Sequence, residues 1–277
     1  MASRKEQKEQ ARAARLAQEQ DAASKAQRTR RFQMFGGATV IAVIVIVVAV
    51  VLSSSGGGGP KGAHPGLETG TKEHQLVSSV DTLLNKIPQS GNMLGSSTAK
   101  VTMQYFGDLE CPYCQAFTLD VFPSFVQQEV RTGNVKVEYR SMCTATCDGK
   151  MTHAAEDAVF NSQQIAAYAA GKQNKFWQYA ELFYHQQKTE GTGYPTDGFL
   201  TGIAKQIPGL NVQTWQTDRK DPSLADEVTA DLAYSTQANL PGTPSLIMAG
   251  PKGTELVNNG DLVTSESQLT TAVKAVS

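Results

Sequence analysis

The 277-residue chain is short of several things at once, and each shortage narrows what it can be. No cysteine occurs before position 111; the four present stand at 111, 114, 143 and 147. No aromatic residue interrupts the first 31 positions, although residues 1–33 hold nine Lys/Arg against four acids, a net of +5. A basic arm without aromatic partners makes a poor surface for nucleic acid, and none is expected as a partner. No charge falls between Phe35 and Leu52. No Ala-x-Ala cleavage signal follows that run near residues 51–56, which disfavours a removable leader. With only four histidines, a zinc site is also hard to complete. His153 could join Cys143 and Cys147, but His74 and His185 have no matching spacing and His64 reads as solvated, so no metal is expected.

What is present begins with that uncharged stretch, FGGATVIAVIVIVVAVVL. Its 18 residues would make a helix of about 27 Å at 1.5 Å per residue, close to the ~30 Å hydrocarbon core of a bilayer. Arg28, Arg30 and Arg31 precede it and nothing as basic follows it. Positive charge stays on the cytoplasmic side, so the expected order is a cytoplasmic arm (1–34), a transmembrane signal-anchor (35–52) and an extracytoplasmic remainder carrying a net charge of −6. The expected location is the cell membrane, crossed once. Residues 53–71 read as a flexible linker; its SSSGGGGPKGAHPG segment reaches roughly 20 Å. Cysteines confined to the outer side fit an oxidising compartment.

The outer domain, 72–277, has a mixed α/β pattern. A helical stripe over Lys72–Lys86 ends at Pro88, and Asn92–Gly95 reads as a short edge strand. Lys100–Phe106 is a strand. A helix follows Cys114, with Pro123 expected to kink or restart it before Val130. Val135–Arg140 alternates as the next strand. From about 150 to 239 the pattern is helical, with segments over 152–170, 174–187, 197–207, 212–218 and 221–238. Its aromatic group, Phe176, Trp177, Tyr179, Phe183 and Tyr184, has the spacing of a helix core. Thr243–Ala249 and Glu255–Asn258 read as a strand pair, and Ser265–Val276 as a closing helix with a capping signal at Ser265 and Gln268. The fold class is therefore α/β: a βαβ unit, a helical insertion and a ββα unit, behind one transmembrane helix.

At the first strand-to-helix junction stands Phe106-Gly-Asp-Leu-Glu-Cys111-Pro112-Tyr113-Cys114. A thiol at a helix N-terminus meets unpaired N–H groups and the positive end of the dipole, which favour thiolate. A second thiol one turn on can close a disulfide with it. Half a zinc site and an inert disulfide are the competing readings of Cys-x-x-Cys itself.

The combination of IPQSGNMLG (87–95), YFGDLECPYCQAF (105–117), FPSFVQQEVRTGNVKVEYR (122–140) and LPGTPSLIM (240–248) resembles the DsbA-like branch of the thioredoxin superfamily. More narrowly it is similar to the membrane-anchored DsbA-like proteins of Gram-positive and actinobacterial envelopes. That resemblance implies Cys111 and Cys114 as the redox-active disulfide, Pro112 and Tyr113 as the pair that tunes it, and Thr243-Pro244 as a facing loop with a cis peptide bond. It implies no cofactor. It also implies an enzyme that oxidises reduced or unfolded exported proteins and is itself reoxidised by a membrane quinone-linked thiol oxidase. A free thiol with pKa near 8.5 is only about 3% ionised at pH 7; a low-pKa Cys111 stabilises the reduced pair and raises its potential by up to roughly 100 mV. An isomerase or reductase of the same fold, or a non-enzymatic envelope chaperone with structural disulfides, remain open. Cys-Pro-Tyr-Cys is also a glutaredoxin dipeptide, but length, insertion and compartment oppose that reading.

One position departs from the superfamily. Six residues before the first cysteine, where many members place a buried carboxylate, this chain has Tyr105. Asp108 and Glu110 are the nearest acids, with a solvated or loop-capping role as their ordinary reading. Cys143 and Cys147 read best as a second, structural disulfide bracing the entry to the insertion, worth roughly 2 kcal/mol for so short a loop. Zinc, or electron exchange with the first pair, are the alternatives.

Overall fold

The computed structural model describes residues 66–144 and 158–277. The expected arm, the transmembrane run 35–52 and most of the linker lie outside the described residues, as do Cys147 and His153. Among the described residues no helix is long and apolar enough to cross a membrane.

A six-stranded sheet runs in the order β1-β2-β4-β3-β5-β6. Its strands are β1 (Gln89–Ser90), β2 (Met93–Leu94), β3 (Val101–Gly107), β4 (Val135–Ser141), β5 (Ser245–Gly250) and β6 (Gly253–Leu256). Central β3 pairs parallel with β4 and antiparallel with β5. In β4 the alternation is strict: Val135, Val137, Tyr139 and Ser141 are buried and the residues between them half-buried. Central β5 is apolar without alternation, as a strand covered on both faces should be. Two strand expectations shift. Met93–Leu94 is not an edge, because β1 pairs outside it. The last strand ends at Leu256, since Asn258 and Asn259 adopt φ of 54° and 52°, a left-handed turn that asparagine tolerates and a strand does not.

Helix α1 spans Thr71–Leu84. The helix that carries the cysteines, α2 (112–130), is continuous from Pro112–Ala116 through Phe117–Val121 and Phe122–Phe125 to Val126–Val130. Pro123 neither breaks nor restarts it. The turn before the proline widens to π-helical spacing, which removes the need for the N–H that proline lacks. The insertion supplies α3 (Ala158–Gly171), α4 (Phe176–His185), α5 (Asp197–Gln206), α6 (Val212–Asp218) and α7 (Pro222–Gln237), and α8 (Glu266–Val276) closes the fold. As the capping signal required, the Gln268 side chain accepts from the Ser265 N–H at 3.1 Å.

Packing joins the insertion to the sheet through large side chains. Trp177 stacks on Phe122 at 5.2 Å, and its indole N–H donates to the Asn92 carbonyl at 3.0 Å. All five aromatics singled out in α4 are buried. At the return seam, Asp231 of α7 accepts from Arg140 Nε at 2.8 Å, from the Ser141 N–H at 2.8 Å, and from the Tyr168 hydroxyl. Arg140 in turn lies 4.6 Å from the Tyr234 ring centroid. This seam fixes the C-terminal end of β4, and so the ground beside the cysteines.

Candidate active site

Strand β3 ends at Gly107, where a Cβ would stand 2.8 Å from Tyr139 Cε2, so only glycine lets the chain pass. The chain then turns. The Cys111 N–H returns to the Asp108 carbonyl at 3.1 Å, while the Asp108 carboxylate accepts from the Glu110 N–H at 3.0 Å and the Thr144 N–H at 3.2 Å. Asp108 is thus the loop cap. The solvated reading fails for both acids, since Asp108 and Glu110 are buried; a carboxylate that ties two backbone N–H groups cannot also face water. Glu110 meets Gln163 of α3 at 3.5 Å.

Cys111 sits at the N-cap of α2, its carbonyl accepting from the Gln115 N–H at 3.1 Å. Pro112 follows at the first helical position, where a missing N–H costs nothing. Gln187, just beyond α4, donates from Nε2 to the carbonyls of Leu109 at 2.7 Å and Cys111 at 3.1 Å, clamping the loop from the insertion side. The two thiols are reduced and differently placed: Cys111 retains 4% exposure and Cys114 none. Pro112 and Tyr113 form the exposed rim. The Thr243–Pro244 bond is cis, and the Cys111 thiol donates to the Thr243 carbonyl at 3.6 Å.

The two sulfurs are driven apart in acidity. A hydrogen bond from Cys114 pulls the Cys111 thiol below its ordinary value against the opposing effect of burial; Thr243 adds a second lowering hydrogen bond and Asp108 a smaller opposing charge. Burial pushes Cys114 well up, and the charge and hydrogen bonding of Cys111 push it further. One proton shared between the two therefore rests on Cys114. Such a pair can supply a nucleophile and leaving group at the opening and a protonated resolving thiol beneath it.

Tyr105 is fully buried behind Cys114, its hydroxyl 3.4 Å from the Cys114 carbonyl, 3.1 Å from Thr118 Oγ1 and 3.4 Å from the Tyr184 hydroxyl. Burial holds Tyr105 protonated far above neutrality, so it can orient the backbone but cannot serve as a base. Tyr184 continues the chain to the Asp108 carbonyl at 3.3 Å. The sequence reading missed Tyr184, Gln187 and Thr144 as site residues. Tyr184 has the spacing of a helix core, and no spacing rule ties the insertion to the cysteine loop. Cys143 is buried and disulfide-bonded, while its expected partner Cys147 lies outside the described residues.

With this geometry in hand, the resemblances to known proteins acquire a site. The family model described as Thioredoxin matches residues 89–264. Disulfide bond formation protein D of Bacillus subtilis is 23% identical over 154 residues, 56% of this chain and 65% of that protein, so the match spans somewhat less than two thirds of the relative. The probable disulfide bond formation protein D of Bacillus anthracis is 23% identical over 158 residues, 57% of this chain and 69% of its own length. Among solved structures, oxidised BdbD from Bacillus subtilis superposes with a TM-score of 0.54 at 20% identity, covering 69% of this chain and 97% of that one. Wolbachia pipientis alpha-DsbA1 gives 0.52 at 15% identity, covering 72% and 95%. The chain belongs to the thioredoxin family, and its fold is that of the DsbA-like thiol-disulfide oxidoreductases.

Proposed function

We propose that the chain is a membrane-anchored, extracytoplasmic thiol-disulfide oxidoreductase that oxidises dithiols of exported proteins through Cys111 and Cys114. The observation that carries this reading is the placement of the two sulfurs, Cys111 at the N-cap of α2 against the cis Thr243-Pro244 loop and Cys114 sealed beneath it, which drives their acidities apart. Stabilising the Cys111 thiolate stabilises the reduced pair, which makes the Cys111–Cys114 disulfide a better electron acceptor. The names of the Bacillus relatives, disulfide bond formation proteins, point the same way.

In the proposed cycle a substrate thiolate attacks Cys111 of the disulfide, and Cys114 leaves as thiolate and takes up a proton. A second substrate thiolate then attacks the substrate sulfur of the mixed disulfide and expels Cys111 as thiolate. The substrate has lost two electrons and the enzyme pair has gained them. Thr243, at the entry to β5, offers backbone to an extended substrate segment. A membrane quinone-linked thiol oxidase would then reoxidise the pair, and the run 35–52 would hold both proteins in one membrane.

The test uses the purified full chain in its disulfide form, a reduced unfolded dithiol protein as substrate, and the potential of the Cys111–Cys114 pair. We expect one substrate disulfide formed per chain, its loss in Cys111→Ala, and a potential near −120 mV; a value near −270 mV would reverse the direction to reduction. Full complementation in vivo by a Cys111→Ala/Cys114→Ala double variant would instead make the protein a binding factor with structural cysteines.

A further inference from the structure

The loop after β4 reaches the cysteine site through one residue that the reaction as described does not use. Thr144 follows the buried Cys143 and has two polar groups engaged. Its backbone N–H donates to Asp108 Oδ2 at 3.2 Å, which fixes where the residue stands. Its hydroxyl is hydrogen-bonded to the hydroxyl of Thr243. Thr243, buried itself, adjoins Cys111: its carbonyl lies 3.6 Å from the thiol, and its side chain is among the groups that draw the thiol below its ordinary acidity range.

Counting protons gives this arrangement a direction. Each threonine hydroxyl has one proton to donate and lone pairs to accept with. A thiolate at Cys111 can only accept. If the Thr243 hydroxyl spends its proton on Thr144, nothing remains for the sulfur. If Thr144 donates to Thr243, the Thr243 proton is free for Cys111. Only the second arrangement satisfies all three atoms when Cys111 is ionised, and the low polarity of a buried site strengthens such a chain.

We propose that Thr144 is a positioning residue for thiol-disulfide exchange: its hydroxyl donates to Thr243 Oγ1 and thereby commits the Thr243 proton to the Cys111 thiolate. The step it serves is the departure of Cys111 from the mixed disulfide, when negative charge appears on that sulfur. The groups that share the pocket with Cys111 are Cys114, which donates to it, and the Asp108 carboxylate, which opposes its charge. Asp108 accepts from the Thr144 backbone N–H, so a side-chain exchange at 144 leaves that contact in place. The inference rests on exchange at Cys111 but not on whether the pair oxidises or reduces.

The test follows the rate of Cys111 alkylation by iodoacetamide against pH, together with the equilibrium constant of the pair with glutathione, in the full chain. Thr144→Val removes the hydroxyl at nearly constant shape, and Thr144→Ser keeps it. We expect Thr144→Val to move the alkylation midpoint to higher pH and to shift the glutathione equilibrium against the reduced pair by roughly three- to tenfold. Thr144→Ser should behave as wild type. In a Thr243→Val background, Thr144→Val should add nothing, because the relay is already cut. Thr144→Ala substitutes for the valine variant should that one not fold. A wild-type midpoint in the valine or alanine variant, or a shift of equal size in the Thr243→Val background, overturns the proposal. The wild-type potential alone decides the direction of the reaction, so the two conclusions fail separately.

Discussion

Two places in the helical insertion bury a carboxylate, and they treat it in opposite ways. At the seam with the sheet, Asp231 is met by Arg140, the Ser141 N–H and the Tyr168 hydroxyl, so its charge has three donors. Burial still pushes its carboxyl up, but these donors pull back. In α4, Glu181 is buried and neither carboxyl oxygen has a hydrogen-bond partner among the described residues. Nothing offsets burial there, and the Glu181 carboxyl is pushed up to about 8. The difference teaches what each site is for. A carboxylate with donors on three sides ties elements together as an ion, whereas one without donors holds its proton through neutral pH.

Removing a donor set or a charge should separate the two. The largest effect is expected at the seam. Asp231→Ala leaves Arg140 and the Ser141 N–H without their partner, at a cost of about 3–5 kcal/mol in denaturant unfolding; a loss under about 1 kcal/mol would mean that solvent replaces the pair. Glu181 should show itself through pH. Between the unfolded carboxyl value near 4.3 and about 8, the folded chain keeps a proton that the unfolded chain has released. Stability therefore falls as pH rises through that window, by up to about 1.4 kcal/mol per unit. Glu181→Gln should flatten that slope and leave the Asp231 seam unchanged, and unfolding titrations from pH 5 to 8 would show it; an unaltered slope would mean that other groups set it. The smallest effect is expected from Gln187→Ala, which frees the Leu109 and Cys111 carbonyls at a cost of about 1 kcal/mol. Its readout is faster amide exchange over 108–115, with the seam protected as before; no change in exchange would place the clamp outside the loop's stability.

Much of the fold could be read from the residues because it rests on local rules. The alternation of β4, the stop at Pro88, the capping pair Ser265 and Gln268 and the helical spacing of α3 to α7 each depend on neighbours along the chain. The thiol at a strand-to-helix junction was legible for the same reason: Gly107, Pro112 and the Cys-x-x-Cys spacing shape the loop by themselves. The places where the fold differs from local expectation share one cause. Of the two ordinary readings of Asp108 and Glu110, loop-capping holds for Asp108 and the solvated one fails for both, because helices from the insertion cover them. Pro123 is expected to kink or restart its helix, and the helix runs on through it after a widened turn. Met93–Leu94 looks like an edge until a two-residue strand pairs outside it.

The sequence by itself determined which atoms are the candidates for the chemistry: two sulfurs three positions apart at a helix start, and a Thr-Pro pair ahead of an apolar strand. Tertiary structure alone decided how those atoms are tuned. It sealed Cys114 beneath Tyr105 and Tyr184, brought Gln187 from 76 residues away to the Cys111 carbonyl, and set Thr144 against Thr243 across 99 residues. Hydrogen bonds of that kind depend on distance and burial in the folded chain, and no pattern along the chain encodes either.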